Sequence, residues 1–278
     1  MRGRWIPLTG PRRFVGDLMA FAARVPTVPV QRRMRLGEVA AARAAAADRP
    51  GWPAVFLKAY ARVAADLPAL RRAYVALPYP HLCEYPRSVA SVAVEREYRG
   101  EPAVFFGKIP EPAGLPLTDI HSRVRRLAED PVEAVPGFRK LLRFSRLPRP
   151  VRRLAIWLGL NIARTRPGQF GTFGLSVYSS LGAESLHPLS PLTTTLNYGV
   201  IGPDGAVDVR LIYDHRVLDG ATVARALGRL ERELTGPILE ELRRMAGPPA
   251  EPPGQVITGR VRVPPGYFPG TGTDRKSA

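Results

Sequence analysis

One cysteine, Cys83, stands in 278 residues. A single thiol closes no intramolecular disulfide and builds no cysteine-based metal site; as a lone residue it reads as a bystander more readily than as a nucleophile. No metal site is expected. Long apolar runs are also missing. The longest mostly apolar stretch, Leu154–Ile162 (LAIWLGLNI), is far too short to cross a bilayer. The opening MRGRWIPLTG has no apolar core behind its basic residues, so it does not resemble a secretory signal. The cytoplasm is the expected compartment. Acidic side chains are scarce, 24 against 41 basic ones, which leaves a formal net charge of +17. Lysine is scarcer still: Lys58, Lys108, Lys140 and Lys276 are the only four, and the rest of the positive charge is arginine. Arginine-rich composition follows from GC-rich codons. It also fits an anionic partner, because the planar guanidinium fork can donate two hydrogen bonds to one phosphate. No nucleic-acid-binding module accompanies the charge, so nucleic acid is not expected.

The chain has enough apolar residues, 45%, to bury a sizeable core. Phe14, Leu18 and Ala22 fall at helical spacing. Residues 25–36 read as extended. Gly37–Asp48 is Ala-rich and helical by propensity, and Ala54–Asp66 carries Phe56, Tyr60 and Val63 on one face. Ser88–Glu95 and Ala103–Lys108 form a hairpin signal around Arg99-Gly100. Thr118–Leu127 reads as a helix opened by a Thr-Asp cap. Two basic, apolar helical pieces, Phe138–Leu147 and Val151–Ile162, meet at Pro148-Arg149-Pro150; seven of the fifteen residues 139–153 are Lys or Arg. Gly168–Val177, Thr193–Val200 and Val207–Tyr213 read as strands, the last after a Pro203-Asp204-Gly205 turn. Gly220–Ala246 is a long amphipathic helical region, expected to kink or break at Gly236-Pro237. Residues 247–278 are rich in Pro and Gly and are expected to form a disordered tail. The domain is therefore placed at 1–246.

The sharpest chemical signal is Tyr213-Asp214-His215-Arg216-Val217-Leu218-Asp219-Gly220. A strand delivers a histidine, and four residues later an aspartate and a glycine open a helix. An imidazole titrates near neutral pH and suits a general base. His81, His121 and His187 sit in no such pattern and read as structural. Asp219 reads either as an acid partner of the histidine or as a helix cap.

The run Asp-His-Arg-Val-Leu-Asp-Gly-Ala resembles the catalytic signature of dihydrolipoamide acyltransferases, the core subunits of 2-oxoacid dehydrogenase complexes. Chloramphenicol acetyltransferase and peptide-synthetase condensation domains share the shorter His-x-x-x-Asp-Gly pattern. Pro7-Leu8-Thr9-Gly10-Pro11-Arg12-Arg13 resembles the opening of that domain. Ser91-Val92-Ala93-Val94 resembles one of its strands, and Phe170–Ser176 (FGTFGLS) another. The resemblance covers roughly residues 7–245 and implies an α/β, two-layer sandwich with a mixed sheet, chloramphenicol-acetyltransferase-like. It implies His215 as general base and Ser176 as oxyanion donor, with Thr194 a polar position assisting the oxyanion. Asp219, beside Gly220, would be structural and pair with Arg12 or Arg13. The substrate would be coenzyme A or acyl-coenzyme A, with nothing bound permanently. The assembly would be a homotrimer, or a multiple of trimers, with His215 of one chain facing Ser176 of the next.

The sequence also departs from that family. The family-like region starts near residue 7, so no lipoyl or subunit-binding domain is expected before it. The acyl thioester donor is then expected to be coenzyme A, an acidic carrier protein or a separately made lipoyl domain. The basic segment 132–168 is an insertion. It reads either as a helical pair packed on the core or as a lid contacting an acyl chain or an anionic membrane surface. The span between Ser176 and His215 is short. A non-catalytic trimeric scaffold and a peripheral membrane-binding relative are the competing readings.

Overall fold

The computed structural model describes residues 3–246; the tail expected at 247–278 lies outside the described residues. A six-stranded mixed sheet organises the chain, in the order β1 (Thr27–Arg35), β8 (Ala206–Asp214), β7 (Thr194–Tyr198), β6 (Phe173–Leu175), β4 (Val89–Tyr98), β5 (Glu101–Pro110). The two outer pairs and β7–β8 are antiparallel; β4–β6 and β6–β7 are parallel. This is the mixed α/β sandwich expected from the sequence. A separate hairpin, β2 (Arg72–Val75) with β3 (His81–Glu84), carries Cys83 opposite Ala73. Sequence patterning missed it, because four-residue strands broken by prolines give too little alternation to see.

Alternation along the strands sorts the sheet into two faces. Ala90, Val92, Phe105, Phe173, Leu196 and Leu211 enter the main core. There α3 (Trp52–Asp66) and α8 (Gly220–Glu233) supply Phe56, Tyr60, Val223 and Leu227, each at most 1% exposed. Burying one such side chain stabilises the fold by roughly 1.5–3 kcal/mol. Phe56 stacks on Tyr198 with ring centroids 4.1 Å apart. Lys58, inside this layer, donates to both carboxylate oxygens of Glu241 at 2.6 and 2.5 Å, and Leu117 N–H donates to the same carboxylate at 2.9 Å. One acid thus ties α3, α4 (Leu117–Glu129) and α9 (Leu239–Met245) together.

The opposite face is covered at its β4–β5 end by α1 (Gly10–Ala22), by α5 (Pro136–Phe144) and α6 (Arg149–Asn161) of the basic insertion, and by the short α7 (Arg166–Phe170). Leu18, Ile156 and Leu160 form a small second core there, with Phe14, Phe106 and Phe144 packed against it. The insertion is helical, as its spacing predicts; it buries Phe138, Leu141, Ile156 and Leu160, while Leu147, Val151 and Leu154 stay exposed. The free edge of β1 is guarded by Arg32, Arg33 and Arg35, charges that discourage another strand from adding.

Two local expectations fail, and the expected interruption at Gly236-Pro237 is a local one. Pro116, not Thr118-Asp119, holds the cap position of α4, and no side chain caps that end. Only Phe173–Leu175 of the expected strand 168–177 is extended, because Pro167 starts a helical turn and Gly171, at φ +94°, ends it. A Cβ on Gly171 would stand 2.9 Å from the Val89 carbonyl oxygen. Gly236-Pro237 does not end the C-terminal helix. A wider π turn, Leu234–Ile238, absorbs the missing N–H of Pro237 and continues into α9.

Candidate active site

His215 follows the last residue of β8, and its backbone N–H extends the ladder to the Pro26 carbonyl at 3.0 Å. The turn is fixed from beneath by Asp214, which is buried. Asp214 accepts from the Arg216 backbone N–H at 3.0 Å and from its guanidinium at 2.7–3.2 Å. That guanidinium lies over the Tyr74 ring, 4.3 Å from its centroid. Arg166, also buried, donates to the carbonyls of Tyr74, Leu160 and Pro191 at 2.7–3.1 Å. Its burial pulls its pKa down, and the charges of Tyr85 and Asp214 oppose that shift. Arg166 thereby joins the β2 hairpin, the insertion and the entry to β7. Neither Asp214 nor Arg166 stood out in the sequence as a support of the histidine. The only signal was the position of Asp214 inside the motif.

The imidazole is half exposed, at 51%, and its Nδ1 lies 3.9 Å from Asp219 Oδ1. That is too long for a hydrogen bond. Asp219 has the extended backbone of an N-cap for α8, but its side chain makes no capping bond and is 87% exposed. Gly220 begins the helix. The expected pairing of Asp219 with Arg12 or Arg13 is not made within the chain. Arg12 lies 3.7 Å from Glu101 and donates to Pro102 O, and Arg13 donates to Leu8 O at 2.9 Å. Both arginines sit at the start of α1, beside β5, at the opposite edge of the sheet from β8.

Ser176 follows β6. Its N–H donates to Leu196 O at 3.1 Å, and its carbonyl accepts from Asn197 Nδ2 at 2.5 Å. It lines a cavity of about 920 Å³ between the sheet and α1, α5 and α6. His215 is not on that wall. Thr194 is not there either. It is fully buried on the core side, where its hydroxyl accepts from Tyr60 Oη at 2.7 Å. The strand's two-residue period puts Thr195 on the cavity side instead. The residue lines the cavity, and its buried hydroxyl has no hydrogen-bond partner among the described residues. The sequence offered three consecutive threonines, and nothing in them distinguishes the face each one takes.

The remaining histidines are structural. His121 Nδ1 accepts from Gly51 N–H at 3.1 Å, His187 bonds Thr27 at 2.8 Å, and His81 bonds Tyr79 O at 2.6 Å. None of the described helices is long and apolar enough to cross a membrane.

Neither models of known protein families nor curated proteins give a match to this sequence. Solved structures do. The atomic structure of the cubic core of the pyruvate dehydrogenase multienzyme complex is 19% identical over 86% of this chain and 94% of that one, with a TM-score of 0.63. A dihydrolipoamide acetyltransferase of Azotobacter vinelandii gives the same figures; its structure concerns the role of a serine, a histidine and an asparagine in that enzyme's catalytic mechanism. A probable dihydrolipoamide acetyltransferase from Listeria monocytogenes 4b F2365 is 18% identical over 84% of this chain and 94% of that one, at 0.62. The chain has the fold of these dihydrolipoamide acetyltransferase and pyruvate dehydrogenase cores. At these identities the likeness speaks for the fold alone.

Proposed function

We propose that this protein is an acyltransferase. It moves an acyl group between coenzyme A, or a carrier-protein or lipoyl thioester, and a thiol, hydroxyl or amine acceptor. The observation that carries the reading is the separation of its two chemical groups: a half-exposed imidazole just past the end of β8, and a serine on the wall of a cavity that the imidazole does not line. A site built between two copies reconciles them, with His215 of one protomer closing the Ser176 cavity of its neighbour in a homotrimer. The Azotobacter enzyme offers a parallel, because its histidine and asparagine are also four residues apart. Asp219 takes the asparagine's place here.

In the reaction, the imidazole nitrogen turned away from Asp219 takes the acceptor's proton as the acceptor attacks the thioester carbonyl. The carbonyl oxygen becomes an oxyanion and accepts a hydrogen bond from the Ser176 hydroxyl. The tetrahedral adduct collapses, the carbon–sulfur bond breaks, and the imidazolium returns its proton to the departing thiolate.

The test is acyl transfer from acetyl-coenzyme A to a panel of thiol, alcohol and amine acceptors. His215→Ala is expected to lower kcat by about 10²–10⁴-fold. Undiminished turnover would reject the assignment.

A further inference from the structure

The cavity that holds Ser176 has a sided wall. Phe14 and Leu18 of α1, Phe106 of β5, Phe144 of α5 and Ile156 of α6 make a long apolar surface. All of its charged lining residues are cations, Lys108, Lys140, Arg123 and Arg126, and no Asp or Glu lines it. None of these four has an ion-pair partner among the described residues. Two of the protein's four lysines therefore meet at one site, one from the sheet and one from the insertion. Desolvation, then the charge of Lys140, lower the pKa of Lys108, although its side chain keeps access to solvent at the cavity edge. At the far side, Thr195 lines the cavity with Ser176, and its buried hydroxyl has no partner among the described residues. Lys108 on β5 and Thr195 on β7 are three strand spacings apart, roughly 14 Å. The volume, about 920 Å³, is at the upper end for small-molecule sites.

We infer that the cavity binds an amphiphilic acid. Its anionic end lies on Lys108 and Lys140, its apolar chain runs along Phe14, Phe106, Phe144 and Ile156, and a polar group at its other end meets Thr195 and Ser176. The inference names the ligand class of the cavity. It rests on the proposed function only for that ligand's being a substrate. Four unpaired cations repel one another, and an anion relieves them. Two lysines that an insertion brings together over an apolar tunnel select a chain carrying one charge at its end.

Direct binding tests this without turnover, by titration calorimetry with decanoate, decan-1-ol and 10-hydroxydecanoate on the full chain. Decanoate is expected to bind about tenfold more tightly than decan-1-ol, the scale of one charge-assisted contact. Affinity should rise roughly fourfold per methylene from hexanoate to decanoate. Lys108→Met with Lys140→Met should abolish the preference for the acid and leave decan-1-ol unchanged, because methionine keeps the apolar stem. Thr195→Val should bring 10-hydroxydecanoate down to the affinity of decanoate. No binding of decanoate, equal binding of the acid and the alcohol, or a preference that survives the double variant would each overturn the inference. Binding is read without turnover, so failure of the catalytic assignment and failure of this one give different results.

Discussion

Arg152 Nε donates to Asp17 Oδ2 at 2.7 Å with both side chains buried, which fastens the basic insertion to the first helix of the domain. Arg152 also donates to Leu147 O at 2.6 Å, and Arg149 stands 3.7 Å from the same aspartate. The roof of the Ser176 cavity is thus pinned to α1 by a charge pair inside the small second core, and apolar packing completes the contact.

Asp17→Ala leaves the Arg152 guanidinium buried without its counter-charge. The expected loss is about 3–5 kcal/mol of unfolding free energy, read from urea denaturation. Asp17→Leu with Arg152→Met removes both charges and is expected to cost far less than the single change. A double variant as unstable as Asp17→Ala would mean that packing of the insertion, not the ion pair, holds the roof.

Thr194 and Thr195 separate stability from function within one strand. Thr194→Val removes the acceptor of the fully buried Tyr60 hydroxyl, and should cost about 1–3 kcal/mol. Thr195→Val deletes a hydroxyl that has no partner among the described residues. It should leave stability unchanged or raise it while lowering acyl transfer. Thermal unfolding and an acyl-transfer assay on the two variants check both halves. Equal effects on both readouts would contradict the assignment of faces.

Most of the sheet was legible in the sequence, because long strands such as β4, β5 and β8 alternate or run apolar over nine or ten residues. His215 was legible because a motif surrounds it. The supports of the site were not. Arg166 acts through the carbonyls of Tyr74 and Pro191, far from it in sequence, and no local pattern encodes such contacts; Asp214 acts through Arg216, two residues on, and only the fold shows that the pair is buried beneath the turn. Thr194 was misplaced because a run of identical residues carries no parity. Arg12 and Arg13 were assigned to Asp219 by resemblance, yet they meet Glu101 and Leu8, since α1 lies over β5.

Alkaline pH should destabilise the fold beyond what surface charge explains. Burial raises the phenol pKa of Tyr85 to about 12, and raises those of Tyr60 and Tyr198 as well. In the unfolded chain a tyrosine ionises near pH 10. Between these values the unfolded state sheds a proton that the folded state keeps, so stability is full below about pH 10 and falls as pH rises toward the folded value. Each buried phenol contributes a slope of up to about 1.4 kcal/mol per pH unit. Denaturation midpoints across this window should decline, and Tyr85→Phe should flatten the decline. An unchanged slope in that variant would remove Tyr85 from the account.

Complementation decides whether the site spans two chains. In a cyclic trimer each site would take His215 from one protomer and Ser176 from the next. Ser176→Ala alone should lower kcat by about 10²–10³-fold, and His215→Ala by at least as much. When the two variants are coexpressed in equal amounts, every mixed trimer contains one interface where an intact histidine meets an intact serine. Three quarters of random trimers are mixed and one site in three is restored in each, so activity should return to about a quarter of the unaltered level. Separately purified variants mixed without subunit exchange should regain nothing. A coexpressed preparation as inactive as its parents would place both residues in one chain's site, and the geometry of the half-exposed imidazole would then need a movement of the β8–α8 turn toward the cavity.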